Sequence, residues 1–211
     1  MVDLRTDPAS LAQAVEEAAA LYRQGKLDAA EKAFKKYISL QPDKPNPYDS
    51  YAELLLKMGR YDESIVQYQK AYDTDNLFIS SLSGIANNYI FKGDYTKARE
   101  YQQMYFDKAT QVNDKLGAMY NKALSFMYEN KLDDVIKAFE ERRAFAEKEK
   151  QSGAVIYSIA YQGFALGEMG KASDGLKKTE EAIAMIDKVD LRPRQKENLQ
   201  AYSNNWRAFA Y

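Results

Sequence analysis

A glycine recurs at Gly25, Gly59 and Gly93, at a constant step of 34 residues, and its surroundings recur with it. "QGKLDAA" begins at Gln24, "MGRYDES" at Met58, "KGDYTKA" at Lys92, "ENKLDDV" at Glu129 and "MGKASDG" at Met169. Asn130 stands in the place of a fourth glycine, 37 residues on, and Gly170 follows 40 residues later. A fixed period of this size constrains the fold more than any local motif. It marks a stack of similar supersecondary units, each burying its apolar face against the next.

Aligned on that position, the flanking residues sort by size. Seven residues before it stand Ala18, Ala52, Ala86, Ala123 and Gly163; five after it stand Ala30, Ser64, Ala98, Val135 and Gly175. Small side chains at both places let two helices approach closely. Two after it come Leu27, Tyr61, Tyr95, Leu132 and Ala172, and nine after it Phe34, Tyr68, Gln102, Phe139 and Thr179. These larger residues, where present, are expected to fill the gap to the neighbouring pair. The residues before each turn carry apolar positions three and four apart, which predicts a helix. Glycine closes such a helix in the left-handed conformation, and asparagine is its best substitute. The recurring run is therefore read as punctuation between antiparallel helices. Pro42 ends the first unit, since it lacks the N–H a continuing helix needs.

These positions together resemble the tetratricopeptide repeat. Residues 45–78 carry the family pattern well, with Tyr48, Tyr51, Ala52, Leu55, Gly59, Tyr61, Ser64, Tyr68 and Ala71. The resemblance covers 11–189. It implies an all-α, right-handed superhelical solenoid of antiparallel helix hairpins, with about eleven helices. The expected division is an N-terminal extension at 1–10 and repeats at 11–44, 45–78, 79–112, 116–149 and 156–189. Residues 190–211 are then a capping helix or the start of a sixth repeat. Gln102 departs from the pattern, standing at an aromatic position. Ala172, Gly175 and Thr179 depart too, and looser packing is expected of that second helix. The wider spacing of the last two units predicts longer helices or loops near 110–116 and 148–156.

Composition narrows the function. Thirty basic and 31 acidic residues leave a net charge of −1, which argues against a dedicated nucleic-acid or anionic-membrane surface. Hydrophobic residues at 45% argue against disorder. No stretch approaches the roughly 18–20 apolar residues of a membrane span. The start, "MVDLRTDPAS", lacks the basic segment and apolar core of a signal peptide. A cytoplasmic location is expected, with a periplasmic or exported one open if a signal peptide has been removed. There is no Cys and no His, which excludes disulfides, thiolate metal sites and His-based catalytic triads. "ALGEMGKAS" lacks the first glycine of a phosphate-binding loop, having Ala165 there, and Ser173 is not adjacent to Lys171. Glu140-Glu141, Glu180-Glu181 and "EERRAFAEKEK" read as solvated helix faces. No catalytic residues, metal or cofactor are expected.

The resemblance implies that the first helix of each pair lines a concave groove. In the first repeat the groove positions fall on Ala12, Val15, Ala19, Tyr22 and Arg23, and in the second on Asn46, Asp49, Glu53, Leu56 and Lys57. Family members that hold chaperone tails use Lys and Asn where Val15 and Ala19 stand, so that role is not expected. The expected partner-binding set is Asp49, Glu53, Asn87, Phe91, Tyr120, Asn121, Tyr128, Tyr157, Tyr161 and Phe164. Its N-terminal part is acidic and its C-terminal part aromatic. Aromatic side chains are enriched where proteins bind proteins. The expected function is a non-catalytic scaffold that binds a peptide segment or helix of another protein. One alternative is a structural protein that assembles with itself through Tyr202, Trp206 and Phe209. The other is a sensor of a small ligand or short peptide, whose sign would be a Tyr-lined pocket in the fourth and fifth repeats.

Overall fold

The computed structural model describes residues 8–209, without the side chains of Tyr202 and of residues 206–209. The described residues form α-helices and turns, with no strand among them. The described residues divide into two compact units, which meet in the chain between Lys108 and Ala109. The first holds α1 (Pro8–Arg23), α2 (Leu27–Leu40), α3 (Pro45–Lys57), α4 (Tyr61–Thr74), α5 (Ser80–Phe91) and α6 (Tyr95–Lys108). The second holds α7 (Val112–Tyr128), α8 (Leu132–Lys148), α9 (Ser152–Glu168), α10 (Ala172–Ile186) and α11 (Pro193–Phe209).

Every turn read from the sequence closes by one device. Gly25, Gly59, Gly93 and Gly170 take φ of +72° to +76°, and Asn130 takes +57°. The N–H of Gly59 donates to the Leu56 carbonyl at 3.0 Å and that of Arg60 to the Leu55 carbonyl at 2.9 Å. This pair of bonds satisfies carbonyls that a helix end leaves open. Lys150 makes a sixth such closure at φ +56°, between α8 and α9. There the Gln151 N–H donates to the Ala146 carbonyl at 2.8 Å.

The small positions form the helix crossings. Ala18, Ala30, Ala52, Ala86, Ala98, Ala123 and Val135 are all fully buried. Ser64 donates its hydroxyl to the Ala52 carbonyl at 2.7 Å, so the two positions touch across the α3–α4 pair. Gly163 and Gly175 make the equivalent crossing of α9 and α10. A Cβ on Gly175 would lie 2.7 Å from the Gly163 carbonyl oxygen. The looser packing expected of the fifth repeat is therefore not what forms. With hydrogen at both positions the two backbones come into direct contact.

The wider spacing is helix. Helices α7, α8 and α9 each run 17 residues, against 12 to 14 for α2 to α6. In the first unit the core gathers Phe34, Tyr37, Tyr51, Leu54 and Leu55, and a second cluster joins Ala52, Tyr68 and Ile85. Gln102 is buried on α6, and neither end of its amide finds a partner among the described residues. In the second unit Phe139 stacks on Tyr161 with centroids 4.6 Å apart, beside a cluster of Ile156, Ile159, Ile186 and Leu199. Leu199 brings α11 onto this core fully buried. The side chains of Tyr202, Trp206 and Phe209 lie outside the described residues.

Candidate functional site

In the first unit, a cleft of about 400 Å³ opens between Tyr22, Glu53, Lys57, Tyr61 and Phe91. The Tyr22 hydroxyl donates to Glu53 Oε1 at 3.1 Å, and Lys57 Nζ lies 4.3 Å from the centre of the Tyr22 ring. Burial, then the Glu53 carboxylate, pushes the Tyr22 phenol up. Phe91 stacks on Tyr61 with centroids 5.6 Å apart and planes 9° apart. Phe91 still leaves 62% of its surface exposed. Asp49 is half-buried and accepts from the Ser81 hydroxyl at 2.9 Å. Burial raises its carboxyl, with the Ser81 bond opposing and Glu53 adding to the rise. Asn87 is half-buried on α5. So the structure brings Glu53 and Phe91 to one cleft, while Asp49 bonds across to α5.

In the second unit, another cavity of about 400 Å³ is lined by Tyr120, Tyr157, Tyr161, Arg142, Asn113 and Gln195, among others. The Tyr120 and Tyr161 hydroxyls bond at 2.5 Å, and the Tyr120 ring meets Phe139 edge-on at 6.1 Å. Tyr161, one of the expected partner-binding residues, stands at the wall of this cavity and is only 9% exposed. Helix α9 packs against α8, α10 and α11, which leaves it little free face. Tyr157, Asn121 and Phe164 are half-buried. Tyr128, the last residue of α7, is 61% exposed.

Arg142 escapes sequence reasoning. It lies in the charged run "EERRAFAEKEK", yet it is buried, at 7% exposure. Its Nε donates to the Leu116 carbonyl at 3.1 Å, and its Nη1 donates to the Ala154 carbonyl and to Ser158 Oγ, both at 2.9 Å. Its Cζ lies 5.6 Å from the centre of the Tyr120 ring. Burial pushes the guanidinium down to about 10, so it stays charged at neutral pH.

Among the described residues, no group of three Asp or Glu side chains is placed to hold a metal ion, and no helix is long and apolar enough to cross a membrane. The architecture is that of a helix-hairpin repeat protein. A tetratricopeptide repeat family model matches residues 16–44 and 46–76. No curated protein sequence matches the chain. Solved structures do. A MamA protein aligns at 17% identity and a TM-score of 0.63, over 87% of this chain and 98% of its own. A Podosopora anserina putative kinesin light chain with nearly identical TPR-like repeats aligns at 15% and 0.66, over 86% and 96%. A tetratricopeptide repeat protein from Parabacteroides merdae aligns at 16% and 0.54, over 95% and 86%. Likeness at this identity is likeness of fold. The chain thus has the fold of tetratricopeptide-repeat proteins, and a family model recognises two of its repeats in sequence.

Proposed function

We propose that the chain is a non-catalytic protein-interaction scaffold, which holds a segment of another protein, extended or helical, against the first helices of its hairpins. One observation carries this. Among the described residues, Phe91 and Tyr128 are the large aromatic side chains left exposed, at 62% and 61%. They occupy the same register. Each ends the first helix of its hairpin, two residues before the turn residue, Gly93 or Asn130. Aromatic side chains are enriched at protein interfaces and dominate their binding energy. Phe91 is held by its stack on Tyr61, so little freedom is lost when it is covered.

Around these anchors the contact set includes Asp49, Glu53 and Asn87 in the first unit. In the second unit it includes Tyr120, Asn121, Tyr157 and Phe164. Neutral overall charge fits a protein partner better than nucleic acid.

The test compares wild type with a Phe91→Ala/Tyr128→Ala variant in affinity capture from the native lysate. Both residues are surface-exposed, so helical content should not change. A protein retained by wild type and lost by the variant supports the reading. Equal retention by both overturns it. A bait that is itself a dimer, and that captures nothing else, transfers the reading to self-assembly.

A further inference from the structure

A buried arginine normally faces a carboxylate. Burying a cation without a counter-charge costs several kcal/mol, and arginine cannot shed its proton to escape. Arg142 is more than nine-tenths buried, and among the described residues no Asp or Glu pairs with it. All its bonds go to neutral oxygens, two of them backbone carbonyls. A neutral side chain of similar length could make such bonds without the cost of the charge. Its Nη2 makes no hydrogen bond with any described residue.

The cavity it lines contains no other charged side chain among the described residues. Around the guanidinium stand the phenols of Tyr120, Tyr157 and Tyr161 and the amides of Asn113 and Gln195. This is a single cation with an unused donor, flanked by neutral donors and aromatic walls. The volume of about 400 Å³ is within the range of small-ligand sites.

We propose that this cavity binds a singly charged carboxylate, with Arg142 supplying the counter-charge and the three tyrosines the walls for a flat or apolar body. A guanidinium matches a carboxylate in shape and charge. A phosphate dianion would need a second cation that the cavity does not offer. The carboxylate could come from a free aromatic acid or from the C-terminus of a peptide. Arg142 is on the second helix of its hairpin, unlike the first-helix positions held by Val15 and Ala19 in the first repeat. The site does not depend on the partner reading, and a Phe91→Ala/Tyr128→Ala variant should keep it.

The experiment is calorimetric titration and thermal shift of the full chain at neutral pH. The probes are 4-hydroxyphenylacetate, its neutral amide, and a tyrosine-ended tripeptide with a free or an amidated C-terminus. A free carboxylate should bind saturably and raise Tm, and the matching amide should bind at least tenfold more weakly. Arg142→Met should abolish the difference. Should that variant fail to fold, Gln195→Glu is the second probe. It places a competing carboxylate at the cavity and should weaken binding at least tenfold. Preference for the free acid or for the tripeptide assigns the source, and either supports the site. No binding by any carboxylate at tens of millimolar, or equal binding by acid and amide, overturns it and leaves Arg142 as a tie between α7 and α9.

Discussion

Alanine at Gly175 and alanine at Gly167 are the same chemical change in neighbouring helices, and the structure predicts opposite signs. A Cβ at 167 meets no atom of the described residues within 4 Å. Replacing a helical glycine there removes an entropic penalty, so Gly167→Ala should stabilise by about 0.5–1 kcal/mol. A Cβ at 175 would stand 2.7 Å from the Gly163 carbonyl oxygen and 3.0 Å from the Gly167 backbone nitrogen. Both obstacles are backbone, so no side chain can swing aside and the helices themselves must part. Overpacking of this kind costs about 1–3 kcal/mol, offset by the same propensity gain. The net expectation is destabilisation by about 1–2 kcal/mol, and a gap of about 1.5–3 kcal/mol between the two variants. Urea unfolding followed by circular dichroism measures it. Equal stabilisation by both substitutions would refute the close α9–α10 crossing.

Gln102→Leu keeps volume and removes a buried amide that has no partner among the described residues, so it should stabilise by roughly 1–3 kcal/mol in the same unfolding experiment. At the left-handed turns, Lys150→Gly should raise Tm through relief of about 1 kcal/mol of backbone strain, and Asn130→Val should lower stability by about 1–2 kcal/mol while Asn130→Gly stays near neutral. Glu31 is held down to about 2 by Lys35 first, then Tyr51 and Arg60. Its contribution is therefore complete above its ordinary value near 4.5 and is lost as pH falls from there through about 2. Stability measured across that window should fall with acid, and Glu31→Gln should flatten the fall.

What could be read from the sequence follows from how narrowly each position is constrained. A left-handed residue admits glycine, and asparagine less well, so five turns announced themselves. The sixth carries Lys150, whose side chain signals nothing, and only the structure reveals it. Crossing positions favour small residues, so Ala18, Ala52, Ala86 and Ala123 were legible, and so was Gly175 as a departure. What that departure meant was not legible. Loss of side-chain volume reads as a void, but helices free to move close it by approaching. Groove exposure was harder still, because it depends on what surrounds a helix. Helix α9 packs against three others, so Tyr161 keeps only 9% of its surface exposed and, with Tyr157, walls a cavity. Arg142 shows the limit most clearly. Composition places it in a solvated run, yet its spacing does not. Val135, Phe139, Arg142 and Ala146 follow one another by four, three and four residues, which is one face of one helix. The other three are buried apolar residues. A charge standing on an apolar stripe is the signal, and it outweighs the charges on either side of it. Such a residue is buried by its neighbours' periodicity, and its charge then requires an answer from whatever the cavity beside it admits.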